Sequence, residues 1–217
     1  EVVGELEIPL VGWRPVPIDP DALGERARKS LPTIQQGFLS RPENSTSVEY
    51  ERLLYLARMM TQQRVSREEI TGFCVVSLSH LTVVYKGLFI ASQLPHFYTD
   101  LARSDFATCF AIFHQRYSTN TSPTWALAQP FRALAHNGEI NTVQANRNWM
   151  RAREGEFQTE VWGERTESLI PVIEPDGSDS LSLDNILELL VRSGRDIRHA
   201  LMMLIPEAWQ NMPAMDP

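Results

Sequence analysis

The polar run HQRYSTNT, residues 114–121, follows an apolar stretch and carries a guanidinium at its mouth. Arg116 placed there can grip a carboxylate through two parallel N–H donors, a fork that lysine lacks. The same arginine equally suits a plain strand end paired with a carboxylate of the protein itself. Farther on, LAHNGEIN (134–141) contains Asn137-Gly138 directly after His136. This dipeptide is the strongest short-range signal for a tight hairpin turn. It is also a side-chain amide beside a backbone N–H that no Cβ obstructs. Two such donors aimed at one point would hold the oxyanion of a tetrahedral acyl intermediate. In PDGSDSLSLDN (175–185), Asp179 stands at a helix entrance between two serines. It either caps the helix or accepts hydrogen bonds from a ligand ammonium while the serines do the capping. In NRNWMRARE (146–154), Asn146, Arg147 and Trp149 punctuate a helix whose plainest reading is a solvated basic face with the tryptophan turned inward.

Positioning these groups falls to elements that periodicity predicts. Residues 1–46 are rich in proline and turn formers and read as an extended arm, with one short helix near Pro20–Lys29. After ENSTS, apolar residues from Leu53 to Met60 recur at helical spacing. FCVVSLS and LTVVYKG flank Ser79-His80 and predict a hairpin; FATCFAIFHQRYST predicts a third strand, buried on both faces, and FRALAHNG a short fourth. Helices follow over Asn141–Arg153, over the Leu/Ile stripe that ends at Gly194, and over Asp196–Leu204. Strands early and helices late predict an α+β fold of antiparallel strands covered by helices.

Composition bounds the function. At 217 residues the chain has room for one sizeable domain. A formal net charge of −7 argues against a nucleic-acid binder, which needs a basic face. No apolar run reaches the roughly 18–20 residues that cross a bilayer, and EVVGELEIPL is not a secretory leader, so the cytoplasm is expected. The two cysteines, Cys74 and Cys109, lack zinc-site spacing and are expected to be buried in strands as small hydrophobes, with a disulfide between them as the minor alternative.

Taken together, HQRYSTNT, PFRALAHNGEINT, NRNWMRAREG, GSDSLSLDN and MLIPEAWQNMPAMDP resemble the glutaminase (class II amidotransferase) domain of the glutamate synthase large subunit. The likeness runs from about Gly12 to the last residue. It implies the N-terminal-nucleophile fold, a four-layer αββα arrangement of antiparallel sheets between helices, here incomplete at its N-terminus. Within it, residues 1–46 would be an arm of the domain, 47–205 its core and 206–217 an exit segment. By motif, Arg116 would grip the glutamine α-carboxylate, and Asn137 and Gly138 would form the oxyanion hole. Asp179 would accept the α-ammonium group, with His136, Ser118 and Thr119 lining the same pocket.

In that family a cysteine at the mature N-terminus attacks the glutamine side-chain amide and its own α-amine serves as base. Residue 1 here is glutamate, and Cys74 and Cys109 are internal. The chain alone is therefore expected to be inactive, with its missing segment as a partner and an open sheet edge that favours association. The resemblance further implies FMN and a 3Fe-4S cluster elsewhere in an intact enzyme, none of them in this segment. It also implies ammonia delivered to 2-oxoglutarate, and electrons from NADPH, NADH or ferredoxin, with a small subunit or ferredoxin as partner. The alternatives are a non-catalytic amino-acid-binding or scaffolding module with the same pocket, and a glutaminase serving a nucleotide-forming transferase. IPEAWQ (205–210) disfavours the latter.

Overall fold

A computed structural model describes residues 1–116, 122–136, 140–157, 159–175 and 177–207. It divides into two compact units, residues 1–135 and 136–217.

The first unit begins with the short helix α1 (Val2–Glu5) and strand β1 (Leu10–Pro15). Helix α2 (Glu25–Lys29) and strand β2 (Gln35–Leu39) follow. β1 and β2 pair antiparallel, with Trp13 opposite Gly37 and Arg14 opposite Gln36. A Cβ on Gly37 would stand 3.0 Å from the Trp13 ring, so glycine is what lets the indole lie across the pair. Arg14 ties the sheet down by donating to Gln36 Oε1 (2.7 Å) and to the buried Asp100 carboxylate (2.6 Å). The short stretch read as an extended arm thus contains the two-stranded sheet.

Helix α3 (Ser47–Arg67) opens with a capping box. Thr46 Oγ1 accepts from the Glu49 N–H, and the Glu49 carboxylate accepts from the Thr46 N–H at 2.7 Å. The Thr46 N–H, and after it the Thr46 hydroxyl, which also donates to the Glu49 carboxylate, hold that carboxyl below its ordinary value. Its middle is buried on all sides, from Leu54 through Met59, and the Arg58 guanidinium lies over the Tyr55 ring. Arg64 near the far end pairs with Glu1 and Glu5 of α1.

A second cluster forms where Leu23 and Ala27 meet Phe97 and Tyr98, the latter pair ending helix α4 (Leu94–Phe97). Tyr98 donates to the Lys86 carbonyl at 2.8 Å, and burial pushes its phenol up to about 12. An unfolded phenol titrates near 10. The neutral phenol therefore supports the fold fully below about pH 10, and that support is lost as pH rises through about 12. Alkaline ultraviolet titration is expected to show one tyrosine ionising well after the rest, followed by unfolding; replacing Tyr98 with Phe removes that last step.

Between these parts the predicted strands are not formed. Phe73–Ser79 and Leu81–Gly87 fold back at Ser79-His80, where Ser79 Oγ and the His80 N–H both donate to Glu51 Oε1 at 2.8 Å. Val84 N–H donates to Ser77 Oγ, a side-chain contact where a backbone ladder was expected. The run from Phe106 to Arg116 is likewise unpaired, with Phe110, Ile112 and Phe113 exposed, and residues 131–136 form no strand. Cys74 and Cys109 are exposed free thiols, against the expectation of burial or a disulfide. The reason is that strand preference is realised only against a partner that takes the backbone hydrogen bonds and a layer that covers one face. Among the described residues these runs join no strand ladder.

The second unit is helical: α5 (Val143–Glu154), α6 (Asp179–Arg192) and α7 (Ile197–Leu204). Its core is the stripe Leu181, Leu183, Ile186, Leu187 and Leu189 with Val143, Met150, Leu169, Val172 and Ala200. Gly194, at φ +94°, takes the left-handed conformation that ends α6. The observed helices and small antiparallel sheet agree with a mixed α and β class. No described helix is long and apolar enough to cross a membrane.

Candidate functional site

The strongest concentration of polar groups lies at the N-terminus of α6. Ser178 is extended (φ −65°, ψ 167°), and its hydroxyl accepts from the Leu181 N–H at 3.2 Å. It is therefore Ser178, and not Asp179, that caps the helix. Gly177 precedes it, where a Cβ would meet the Glu174 carbonyl at 3.1 Å and Leu181 at 3.2 Å. With the cap filled, Asp179 occupies the first helical position. Its carboxylate lies near the positive end of the helix dipole, and its side chain stays 47% exposed.

Arg147 reaches this corner from α5. Its guanidinium pairs with Asp179 Oδ1 at 3.0 Å and donates to Ser182 Oγ at 2.9 Å and to the Gly177 carbonyl at 3.3 Å. Ser182 passes the connection on to the Ser178 carbonyl at 3.1 Å. The solvated basic face expected for this helix is thus corrected: Arg147 points inward at 20% side-chain exposure, whereas Trp149 is 67% exposed. The helical period explains both. Arg147 lies four residues after Val143 and three before Met150, both buried, while Trp149 falls on the opposite side. Reading that spacing would have found Arg147 from sequence.

His136 joins the same turn through its Nε2, 2.8 Å from Ser180 Oγ. Asn146 and Thr142 both donate to the Leu204 carbonyl, at 2.8 and 2.7 Å, which fixes α5 against the end of α7. Glu154 accepts from the Val172 N–H at 2.8 Å and secures the other end of α5. Arg147 is consequently a fixed post. Replacing it with Met strips Ser182 and the Gly177 carbonyl of a charged donor and is expected to cost about 1–3 kcal/mol of unfolding free energy. Chemical denaturation of the second unit's helices measures this, and an unchanged midpoint would show the three contacts to be idle.

Of the residues singled out in the sequence, His136 and Asp179 converge on the first turn of α6. Arg116 is exposed and belongs to the first unit. Ser118, Thr119, Asn137 and Gly138 lie outside the described residues. The depression lined by Phe157, Glu160, Glu164 and Glu167 includes none of them. No group of three or more His, Cys, Asp or Glu among the described residues is placed to hold a metal ion. Chemically, the α6 corner offers one half-exposed carboxylate, oriented by a guanidinium, with an imidazole and hydroxyls beside it. That set suits a cationic group such as an ammonium.

The family model for class II glutamine amidotransferases matches residues 1–217. Ferredoxin-dependent glutamate synthase 1, chloroplastic/mitochondrial, of Arabidopsis thaliana is 44% identical over 95% of this chain and 13% of its own length. The glutamate synthase (NADPH) large chain of Azospirillum brasilense is 47% identical over 92% of this chain and 13% of its own. Ferredoxin-dependent glutamate synthase 2 of Synechocystis sp. is 44% identical over 99% of this chain and 14% of its own. The chain thus spans 13–14% of the length of these relatives.

Proposed function

The chain belongs to the class II glutamine amidotransferases, and from that premise we propose that it supplies the glutamine-binding and oxyanion-hole portion of a glutamate synthase. The intact enzyme hydrolyses L-glutamine to glutamate and ammonia and spends the ammonia on reductive amination of 2-oxoglutarate in the cytoplasm. Residues 47–205 are the core of its amidotransferase domain, 1–46 an arm of the same domain and 206–217 the exit toward the next. The complete domain has the four-layer αββα arrangement, whose sheets take up the strand-forming runs at 73–87 and 106–116.

The observation that carries this reading is the division of labour at α6. Ser178 caps the helix and Arg147 holds Oδ1 of Asp179, which leaves a half-exposed, oriented carboxylate and so supports the role of ammonium acceptor that the family motif implies for it. Arg116 then takes the α-carboxylate in a bidentate grip, and Asn137 and Gly138 donate to the oxyanion. His136, Ser118 and Thr119 line the pocket between these charged ends. The nucleophile is a cysteine with a free α-amine. Cys74 and Cys109 are internal and carry no free α-amine, so neither of them supplies that nucleophile.

FMN and a 3Fe-4S cluster do not fit these residues. Such clusters are held by cysteine thiolates, and this sequence offers two cysteines far apart in the chain and no glycine-rich phosphate loop. Both groups, and the ferredoxin or small subunit that feeds electrons to them, belong to the remainder of the intact enzyme. The test is the intact enzyme given glutamine, then a glutamine-analogue electrophile. Glutamate release and labelling of the terminal cysteine are expected. Binding of glutamine without hydrolysis or labelling would make this a non-catalytic amino-acid-binding module instead.

A further inference from the structure

A separate set of side chains on the first unit has the connectivity of a nucleophilic relay. Ser47 is the exposed first residue of α3, and its Oγ lies 2.9 Å from His80 Nε2. On the other side of the same ring, His80 Nδ1 lies 2.8 Å from Glu51 Oε1. Glu51 is 3% exposed, and His80 retains 26% of its side-chain surface. A carboxylate only accepts hydrogen bonds, so it selects the tautomer with the proton on Nδ1 and leaves Nε2 to accept from the serine hydroxyl.

The arrangement is braced from several sides. Glu51 Oε1 also accepts from Ser79 Oγ and from the His80 backbone N–H, which fixes carboxylate and histidine to one turn. The Tyr50 ring packs on the imidazole at 5.2 Å between centroids. Tyr50 is itself buried and donates to the Leu39 carbonyl. Ser47 and Glu51 stand one helical turn apart on α3, so the helix sets their spacing. Helix geometry also leaves the N–H groups of Ser47 and Val48 without acceptors inside the helix, next to the hydroxyl.

We propose that Ser47, His80 and Glu51 form a second acyl-transfer centre, with Ser47 as nucleophile, His80 as general base and Glu51 as the residue that positions it, acting on small activated carboxylic esters. Ser47 Oγ attacks the ester carbonyl carbon as its proton passes to His80 Nε2. The bond to the leaving alcohol breaks, and the alcohol departs with that proton. Water then repeats the sequence, releasing the carboxylic acid and restoring the serine. No oxidant or metal is needed. The exposed position of Ser47 beside exposed Val48, and of His80 beside exposed Leu81, suits an ester with a short apolar group. This site shares no residue with the proposed glutamine site; only the blocking step and the hydrolysis control of its test rest on that reading, whereas the Ser47-to-Ser45 labelling ratio does not.

The experiment uses the intact protein, its terminal cysteine first blocked with a glutamine-analogue electrophile, and an alkyl fluorophosphonate as probe. Attack by Ser47 forms the oxygen–phosphorus bond, expels fluoride and places the proton on His80. Ser45 is the internal control, since its hydroxyl donates to the Pro42 carbonyl at 2.8 Å and no imidazole is shown with it. A positioned general base typically contributes 10²–10⁴-fold, so Ser47 is expected to be labelled at least about 10²-fold faster than Ser45. His80→Asn should bring Ser47 down to the Ser45 rate while unblocked enzyme still hydrolyses glutamine. Glu51→Gln should slow labelling, and Glu51→Asp, which keeps the charge, should recover part of it. Equal labelling of Ser47 and Ser45 in the unmutated protein, or a Ser47 rate indifferent to His80→Asn, would overturn the proposal.

Discussion

Replacing Asn137 with alanine in the intact enzyme is expected to lower kcat for glutamine hydrolysis by roughly 10²–10³-fold and to leave KM nearly unchanged. The asymmetry follows from when the interaction acts. In the proposed role, the side-chain amide would donate to an oxygen whose charge develops only as the tetrahedral intermediate forms, and would stabilise the transition state more than the bound substrate. The proposed second donor, the Gly138 backbone N–H, is untouched by the change, so activity is expected to fall without vanishing. Steady-state kinetics on glutamine, with glutamate as the product measured, decides the matter. A shift in KM alone would move Asn137 out of the oxyanion role and leave the dipeptide as a turn.

The second large effect concerns the opposite end of the substrate. Arg116→Lys keeps the charge but removes the two-pronged grip, because an ammonium is a point donor and a guanidinium a planar fork. Hydrogen bonds to charged groups contribute about 1.5–3 kcal/mol, and each 1.4 kcal/mol is a factor of ten. KM for glutamine is therefore expected to rise about 10- to 100-fold with kcat much less affected. Arg116 is exposed, so the substitution should leave the fold intact and the change readable as binding. An unaltered KM would assign Arg116 to an ordinary surface position. Asp179, by contrast, is already paired with Arg147 at 3.0 Å, so its carboxylate is held by a neighbouring side chain of its own unit.

Helices were legible to within a few residues. The stripe from Leu53 to Met60 lies in α3, Asn141–Arg153 became Val143–Glu154, and Asp196–Leu204 became Ile197–Leu204 with Asp196 as its cap. At α6 the sequence left two candidates for one task, and the structure chose Ser178 over Asp179. The strand assignments fared worse. Valine and phenylalanine runs at 73–87 and 106–116 have strand preference in abundance, yet they form no strand among the described residues, and the sheet formed in the proline-rich stretch instead.

The sequence by itself determined the family, the helices of the second unit and the residue types able to hold an amino acid. Those properties are local: a helix closes its hydrogen bonds within four residues, and a cap or a motif is written in consecutive letters. Only the tertiary structure decided that Arg147 turns inward onto Asp179 and Ser182, that Glu51 gathers Ser79 and His80, and that Ser47 faces the far side of that ring. Each of those contacts joins positions 28 to 35 residues apart. Nothing in the letters between them fixes the distance, which packing sets.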